Sequence, residues 1–497
     1  MLAGSSKRCL VLLEKCLNMT QLKQAHALVI TYGLGNNSFA LSRLLAFCSH
    51  PILGSLSYGF KIFEQIEQPT ICISNTMMKT FLLKNESQKA VEIYRGMLKN
   101  GMYPDNYTLP YILKACADFK TSHLGELIHG YSLKLGLLFD NYVGNALISM
   151  YSGFNNMEAA RLVFDEFSWD CVVSCTILIS GYAKREDVCT ARLIFDEVPV
   201  KDRGIWGAMI SCYVQNNCFE DGLQLFRLMQ FTGIKPDEAM FVSLLCACSH
   251  LGSLDIGIWV HSYVEKLKMP LSVKLGTSLV DMYGKCGRLD LAEEVFDKMP
   301  QRDLVCWNAM ISGLAMNGNG KNALRLFQEM EKAGIRPDDI TFISMFTALS
   351  YSGMANEGLK LLDIMCNLYK IEPKSEHYGC IIDLLSRGGL LEEAKNIIQN
   401  MPNSNAASEE AIAWRALLNA SCSHGDIIHL AEAAAERLVQ LEQHSGAYVL
   451  LSNIYSAAGK HESVKRIRKK MQSKGIEKAP GSSSLEINGV VQEFTAG

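Results

Sequence analysis

The amino-acid sequence predicts an all-α fold, a right-handed superhelical solenoid of tandem helix-turn-helix repeats. Three observations carry this prediction: a phrase that recurs along the chain, a second phrase that lies at a fixed distance after it, and turn residues between the two. A chain of 497 residues would otherwise divide into several globular domains, so internal repetition is the first alternative to test.

The first recurring phrase is a small or aromatic residue, a polar residue and a hydrophobic run that ends in an aromatic residue or leucine. Clear copies are GNALISMY (144–151), WGAMISCY (206–213) and WNAMISGL (307–314). Many copies begin 31 or about 70 residues apart, and each longer interval contains one variant unit of 35 or 36 residues. Repetition at this period is the signature of a stacked array.

The second phrase begins about 16 residues after the first and is amphipathic. Examples are AARLVFDEF (159–167), AEEVFDKM (292–299) and ALRLFQEM (323–330). Apolar residues at i, i+3, i+4 and i+7 form one face of a helix. Turn residues such as those of NGNGKN (317–322) separate the two phrases, so each unit is predicted to be a helical hairpin.

Stacking buries the apolar face that a single hairpin would leave exposed, and the prediction therefore extends over nearly the whole chain. Residues 6–406 form about twelve repeats of 31 to 36 residues, residues 407–479 two further hairpins, residues 480–497 a C-terminal extension, and residues 1–5 a short N-terminal extension or presequence remnant. The predicted repeats are 6–37, 38–70, 71–105, 106–140, 141–171, 172–202, 203–237, 238–272, 273–303, 304–338, 339–374 and 375–406.

Composition and motifs favour a binding protein over an enzyme. The net charge is −3, so any surface for a polyanion would have to be local. No C-x-x-C pair occurs among the 17 cysteines, no histidine precedes a glutamate by two residues, and no phosphate-binding loop is present. The sequence thus predicts no catalytic residue, no metal site and no cofactor.

Two features are open to more than one interpretation. His129 and His261 occupy matching places in two variant repeats, where a histidine is more typical of core or surface than of a ligand site. The basic run VKRIRKKMQSK (464–474) is the densest positive patch, and is compatible with binding to the phosphates of a polyanion, with binding to another partner, or with a solvated helix.

The ends of the repeats identify their type. GMYPD (101–105), GIKPD (233–237) and GIRPD (334–338), together with WNAMISG, resemble the pentatricopeptide repeat, whereas the opening W-x-x-L-G-x-x-Y of tetratricopeptide repeats is not found. The alternation of 31-, 35- and 36-residue repeats is similar to the plant PLS subclass of that family. Residues 414–476 resemble its C-terminal E domains, without the DYW deaminase domain of longer relatives.

The resemblance implies that each repeat reads one base of single-stranded RNA through its fifth and last residues. It implies a preference for uracil at the Asn75–Asp105 and Asn308–Asp338 pairs, and for guanine at Thr176–Asp202 and Thr277–Asp303. Two further pairs are incomplete, because Asp237 is paired with a glycine, Gly207, at the fifth position, and Asn145 is paired with Cys171. The alternative is that each aspartate only caps a helix and each asparagine or threonine is a solvated polar residue.

The resemblance also implies a role. The chain is expected to be a site-recognition factor for organellar C-to-U RNA editing that recruits in trans, through its E region, a deaminase-bearing pentatricopeptide repeat protein or other editing factors. A mitochondrial location is expected, with the chloroplast as the alternative, and neither DNA nor a membrane is expected as a partner. Two alternatives remain: a factor for organellar RNA splicing, stabilisation or translation, and a protein–protein scaffold.

Overall fold

The computed structural model describes residues 11–50, 53–167, 171–399, 407–423, 428–441, 445–476, 482–487 and 490–495. Its helices are α1 (Met19–Thr31), α2 (Ser38–Cys48), α3 (Leu56–Glu64), α4 (Ile71–Leu83), α5 (Ser87–Lys99), α6 (Thr108–Phe119), α7 (Ser122–Lys134), α8 (Asn141–Gly153), α9 (Met157–Phe167), α10 (Val172–Lys184), α11 (Val188–Glu197), α12 (Arg203–Gln215), α13 (Phe219–Phe231), α14 (Glu238–Leu251), α15 (Leu254–Lys266), α16 (Val273–Lys285), α17 (Leu289–Lys298), α18 (Leu304–Met316), α19 (Gly320–Lys332), α20 (Asp339–Tyr351), α21 (Ala355–Asp363), α22 (Ser375–Arg387), α23 (Leu391–Gln399), α24 (Ala407–Ser423), α25 (Ile428–Leu441), α26 (Ser445–Ala457) and α27 (His461–Ser473). A π-helical turn, Ile364–Leu368, continues α21.

The predicted fold class, a solenoid of helical hairpins, is confirmed. Helices alternate along the chain between a first and a second helix of each hairpin, and consecutive hairpins stack within each of two compact units. Two strands come after the helices, β1 (Ser482–Ile487) and β2 (Val490–Thr495), which pair antiparallel. The sequence patterns did not predict this strand pair within the C-terminal extension, and the predicted N-terminal extension, residues 1–5, lies outside the described residues.

The chain divides into two compact units, Met1–Ala247 and Cys248–Gly497. Within each unit the first helices of consecutive hairpins pack directly on one another, as α16 does on α18 and α18 on α20. In the part of the chain that the structure describes, no helix is both long and apolar enough to cross a bilayer.

The two helices of a hairpin differ in how much of their surface is buried. In α18 eight of the thirteen residues are buried, including both Trp307 and Asn308, because neighbours cover the helix on more than one side. In α19 the buried residues recur on one face only, at Gly320, Ala323, Leu326, Phe327 and Met330. The amphipathic second phrase therefore forms the outer helix, whose other face is left to solvent.

Glycines set the spacing of first helices in the second unit. A Cβ atom built on Gly284 of α16 would lie 2.9 Å from the Cα of Gly313 in α18. Only a residue without a side chain allows the backbones to approach this closely. Gly284 and Gly313 thus determine how closely α16 and α18 pack.

The sequence G-x-x-P-D marks the passage from one hairpin to the next. Gly101, Gly233 and Gly334 adopt φ of +68°, +73° and +76°, the left-handed conformation that ends a helix. The aspartate four residues after the glycine then begins the next first helix, as Asp338 does for α20. Asp237 and Asp338 thus stand directly before a helix, whereas Asp105 lies three residues before the first residue of α6.

Candidate nucleic-acid interface

The predicted base-reading residues lie at two recurring places in the hairpins. The fifth residues are in the second turn of first helices: Asn75 in α4, Asn145 in α8, Thr176 in α10, Thr277 in α16 and Asn308 in α18. The predicted last residues precede the first helix of the next hairpin. The fifth residue of one repeat is thereby brought beside its own last residue wherever consecutive first helices pack together.

One carboxylate oxygen of each predicted aspartate accepts a backbone N–H at the start of a first helix, although at α6 the N-cap position itself is Tyr107, two residues after Asp105. Oδ1 accepts a hydrogen bond from the backbone N–H three residues on, at 2.7 Å for Asp105, 3.0 Å for Asp202, 3.0 Å for Asp237, 3.0 Å for Asp303 and 2.9 Å for Asp338. Asp202, Asp303 and Asp338 therefore act as N-caps, and such a cap stabilises a helix by about 1 kcal/mol.

The second carboxylate oxygen is available for another partner. Among the described residues, Oδ2 of four of these aspartates accepts no hydrogen bond, since every bond to the carboxylate goes to Oδ1. The exception is Asp237, whose Oδ2 lies 3.8 Å from the guanidinium of Arg203. Capping uses Oδ1, and a further partner would use Oδ2, so the two contacts do not compete for the same atom.

Asn75 and Asp105 form a direct contact. Nδ2 of Asn75 donates to Oδ1 of Asp105 at 3.1 Å, although the two residues are 30 positions apart. The hydroxyl of Thr108, at the start of the next hairpin, lies 2.9 Å from Oδ1 of Asn75 and 2.7 Å from Oδ1 of Asp105. Thr108 is fully buried and Asn75 is 8% exposed, so the amide is held in place by its partners.

The same arrangement recurs in the second unit. Nδ2 of Asn308 donates to Oδ1 of Asp338 at 3.0 Å, and the hydroxyl of Thr341 lies 2.6 Å from Oδ1 of Asn308 and 2.9 Å from Oδ1 of Asp338. Thr341 is fully buried and Asn308 is 7% exposed. Two repeats with the same fifth and last residues thus build the same three-residue cluster.

Hydrogen bonding keeps the aspartates of both clusters ionised. Burial alone would raise the pKa of Asp105, but the hydrogen bonds from Thr108 and Asn75 outweigh it and leave that pKa below its usual value. In the same way, hydrogen bonds from Thr341 and Asn308 outweigh burial and lower the pKa of Asp338. Each carboxylate is therefore an acceptor only at neutral pH.

Asn145 has a related but different environment. Its Oδ1 accepts from the hydroxyl of Ser174 at 2.5 Å, while its Nδ2 lies 3.7 Å from the Cys171 sulfur that replaces the aspartate. A hydroxyl at the third position of the next repeat therefore engages all three fifth-position asparagines.

The threonine pairs are arranged differently, because in the part of the chain that the structure describes no hydrogen bond joins Thr176 to Asp202 or Thr277 to Asp303. The Thr176 hydroxyl donates to the carbonyl oxygen of Val172 on its own helix. The Thr277 hydroxyl is buried, and the group beside it that can hydrogen-bond to it is the thiol of Cys306, which is only a weak donor and acceptor.

A cleft of about 580 Å³ opens beside the first of these clusters. Asn75, Asp105 and Tyr107 line it together with Lys79, whose ammonium group supplies positive charge. This volume lies within the range of about 300–1,000 Å³ that is usual for sites that bind small molecular groups.

A second column of side chains, which the sequence patterns had not singled out, lies near the starts of the same helices. Three positions before the fifth residue, six of the repeats carry apolar or aromatic side chains that are 45 to 63% exposed. Members of this exposed column are Phe39, Tyr107, Tyr142, Val173, Val305 and Ile340. Residues at i and i+3 share a helix face, so an apolar residue three places before a polar one was the available signal.

Two rings of the exposed column are neighbours. The ring centroids of Tyr107 and Tyr142 lie 5.9 Å apart, at the starts of the first helices of consecutive hairpins. Exposed aromatic surfaces on two consecutive hairpins, as at Tyr107 and Tyr142, are suited to contact the faces of successive flat groups.

The basic run 464–474 lies on an exposed helix. None of the residues of α27 is buried, and Lys465, Arg466, Arg468, Lys469 and Lys470 are all exposed. Within the described ranges, no group of three histidine, cysteine, aspartate or glutamate side chains could hold a metal ion.

Comparison with known proteins gives consistent matches. Residues 426–486 match the E motif, residues 302–351 the PPR repeat family, and residues 204–234, 277–304 and 376–405 the PPR repeat. Among similar proteins of Arabidopsis thaliana, a chloroplastic pentatricopeptide repeat-containing protein is 36% identical, over 98% of this chain and 79% of its own length. A mitochondrial one is 35% identical, over 98% of this chain and 86% of its own.

Solved structures share the fold. The crystal structure of the pentatricopeptide repeat protein PPR10 from maize has a TM-score of 0.51 at 17% identity, covering 94% of this chain and 79% of that chain. The structure of PPR10 in complex with an 18-nt psaJ RNA element also has a TM-score of 0.51, at 14% identity, and covers 96% of this chain and 87% of that chain.

Proposed function

Because this chain belongs to the pentatricopeptide repeat family and carries an E motif, we propose that it binds single-stranded RNA in a sequence-specific manner. The observation that carries the proposal is the recurring aspartate whose Oδ1 caps a helix while its Oδ2 is left for a further partner, beside the fifth residue of the same repeat. A carboxylate oxygen and a neighbouring amide or hydroxyl can together contact the edge of one base.

The exposed column supports the same function. Its apolar and aromatic side chains, such as Tyr142 and Val305, would contact base faces while the fifth and last residues contact base edges. Stacking of this kind contributes about 1–3 kcal/mol per base without regard to sequence. Affinity would then come largely from the column and specificity from the polar pairs.

The order of the repeats gives the expected RNA. From the repeat 71–105 to the repeat 304–338, eight consecutive repeats would read 5′-U-N-N-G-N-N-G-U-3′, with uracil opposite the Asn–Asp pairs and guanine opposite the Thr–Asp pairs. The test is the affinity of the full chain for an RNA with this sequence against RNAs in which one specified base is changed. Equal affinity for all of these RNAs would reject sequence-specific recognition.

We further propose that the RNA is organellar and that binding selects a cytidine for editing to uridine. The support is the E motif at 426–486, which comes after the repeats and includes the exposed basic helix α27. In this proposal the E region recruits a deaminase-bearing pentatricopeptide repeat protein or other editing factors in trans, in mitochondria or alternatively in chloroplasts.

The editing role fixes the position of the target. If the repeat 375–406 pairs about four nucleotides 5′ of the edited cytidine, the two uracils lie about six and thirteen bases upstream and the two guanines about seven and ten. Sequencing of organellar transcripts from a line without this gene tests the role. Normal editing of every cytidine, together with loss of splicing or of a transcript, would replace the editing role by one in RNA processing.

A further inference from the structure

The three fifth-position asparagines differ from the two threonines in the residue that meets them from the next hairpin. The Oδ1 atom of each asparagine accepts a hydrogen bond from a hydroxyl, that of Thr108, Ser174 or Thr341. Each of these hydroxyl residues lies three positions after the last residue of the asparagine's own repeat. The equivalent residues after the threonine pairs are Ile205 and Cys306, which bring no hydroxyl. A hydroxyl is thus present at this place only where the fifth residue has an amide to orient.

The hydroxyl and the carboxylate together determine which way the amide faces. Oδ1 of Asp338 already accepts the backbone N–H of Thr341 and the Nδ2 of Asn308, whereas Oδ1 of Asn308 accepts nothing else among the described residues. The single proton of the Thr341 hydroxyl is therefore best used by Oδ1 of Asn308. A carboxylate cannot donate, so the amide atom facing Asp338 must be the nitrogen, and both contacts select the same orientation.

We propose that Thr108 and Thr341 are positioning residues for base selection, which act by holding the Asn75 and Asn308 amides in one orientation. In this orientation the amide has one Nδ2 hydrogen left to donate, and the neighbouring aspartate has its Oδ2 left to accept. The proposal rests on the RNA-binding function proposed above. It makes each uracil position depend on three side chains from two hairpins, and not on two side chains alone.

The chemical consequence concerns uracil and cytosine. Uracil carries carbonyl oxygens on both sides of its N3–H, whereas cytosine carries an amino group in place of one of them. An amide fixed to present N–H favours the carbonyl and disfavours the amino group. Loss of the threonine hydroxyl leaves the carboxylate as the one group that orients the amide. The amide can then turn more easily and present its oxygen to the amino group, so the discrimination between the two bases should relax.

The experiment uses the full chain and the RNA 5′-U-N-N-G-N-N-G-U-3′ with either U or C at the base assigned to the repeat 304–338. Thr341→Val removes the hydroxyl, Thr341→Ser keeps it, as Ser174 does beside Asn145, and Asn308→Ala removes the amide. We expect Thr341→Val to lower the ratio of U to C affinity by about fivefold or more, Thr341→Ser to retain it, and the ratio at the base assigned to 71–105 to stay unchanged in both.

The outcomes separate this inference from the function on which it rests. If Asn308→Ala removes the preference and Thr341→Val leaves it intact, the positioning role is wrong and RNA recognition stands. If Thr341→Val weakens binding to both RNAs equally, the threonine is only structural and the inference is overturned. If none of these variants, nor any change of base, alters binding, the proposed function fails as well. If Thr341→Val does not fold, Thr108→Val provides the same test. The quantity measured is then the ratio of U to C affinity at the base assigned to the repeat 71–105.

Discussion

The Nδ1 atom of His261 lies 2.9 Å from the hydroxyl oxygen of Tyr283, which is 22 residues further along the chain. The same contact, also at 2.9 Å, joins His129 to Tyr151 and His26 to Tyr58. In each case the histidine is on the second helix of one repeat, which for His26 is α1 of the repeat 6–37, and the tyrosine is on the next repeat. The matching histidines noted in the sequence therefore join neighbouring hairpins, and none lies in a metal cluster among the described residues.

We expect Tyr283→Phe to destabilise the second unit by about 1 kcal/mol, because it removes a hydrogen bond between hairpins and leaves the ring in place. Tyr283 is almost fully buried, so the histidine cannot exchange the lost bond freely for water. Urea denaturation followed by circular dichroism measures the change. The control is Tyr103→Phe at a side chain that is 73% exposed, which should have an effect within about 0.5 kcal/mol.

Stability should also fall as the pH is lowered below about 6.5, the ordinary pKa of histidine. Burial lowers the pKa of His26, of His129 and of His261 in the folded chain, and for His261 this outweighs the opposing effect of Glu265. A lowered folded pKa means that the unfolded chain binds more protons between the two pKa values. The histidine contribution is therefore complete above about pH 6.5 and is lost as the pH falls toward the folded pKa.

Thermal unfolding between pH 7.5 and 5 measures this effect. Replacing all three histidines by glutamine, which can still hydrogen-bond to the tyrosine, should flatten the dependence in this range. A variant that keeps the same slope as the unaltered chain would assign the acid sensitivity to other groups, such as the carboxylates.

The hairpins and their register could be predicted well from the sequence, because both depend on local patterns. The spacing of apolar residues placed α18 and α19, and G-x-x-P-D located the start of α20 at Asp338. The contact of Thr341 with Asn308 could not be predicted, because it joins residues 33 apart and depends on how closely two first helices approach. The alternative interpretation of Asn308 as a solvated polar residue is wrong, since the cluster with Asp338 and Thr341 buries it.

Two glycine substitutions should act in opposite directions. Gly284→Ala places a Cβ 2.9 Å from the backbone of Gly313, so we expect the gain in helix propensity to be outweighed and the second unit to lose about 1–3 kcal/mol. Gly96→Ala is the matched control, because its Cβ would meet nothing within 4 Å on the outer helix α5. There the alanine should stabilise the chain by up to about 1 kcal/mol. Urea denaturation of both variants measures the two changes, and a stabilising Gly284→Ala would show that α16 and α18 can separate without cost.

The proposed readout makes a final prediction at the repeat 273–303, where Thr277 and Asp303 are assigned to guanine. Thr277→Asn creates the asparagine–aspartate pair found in 304–338 and should shift the preferred base from G to U. The residue that would orient the new amide is Cys306, which is buried and has no hydroxyl. We therefore expect the single variant to prefer U only weakly over C.

Adding Cys306→Thr to Thr277→Asn should supply the missing donor, and the cluster of Asn308, Asp338 and Thr341 is the natural example of the result. The double variant should then discriminate U from C more strongly than the single variant, by about fivefold or more, since one polar contact to a base is typically worth about 1–3 kcal/mol. Cys306→Thr alone is the control and should leave the preference for G in place. Binding of the full chain to RNAs that differ only at this base gives all three ratios, and equal discrimination by the single and double variants would mean that the pair of fifth and last residues acts without a third side chain.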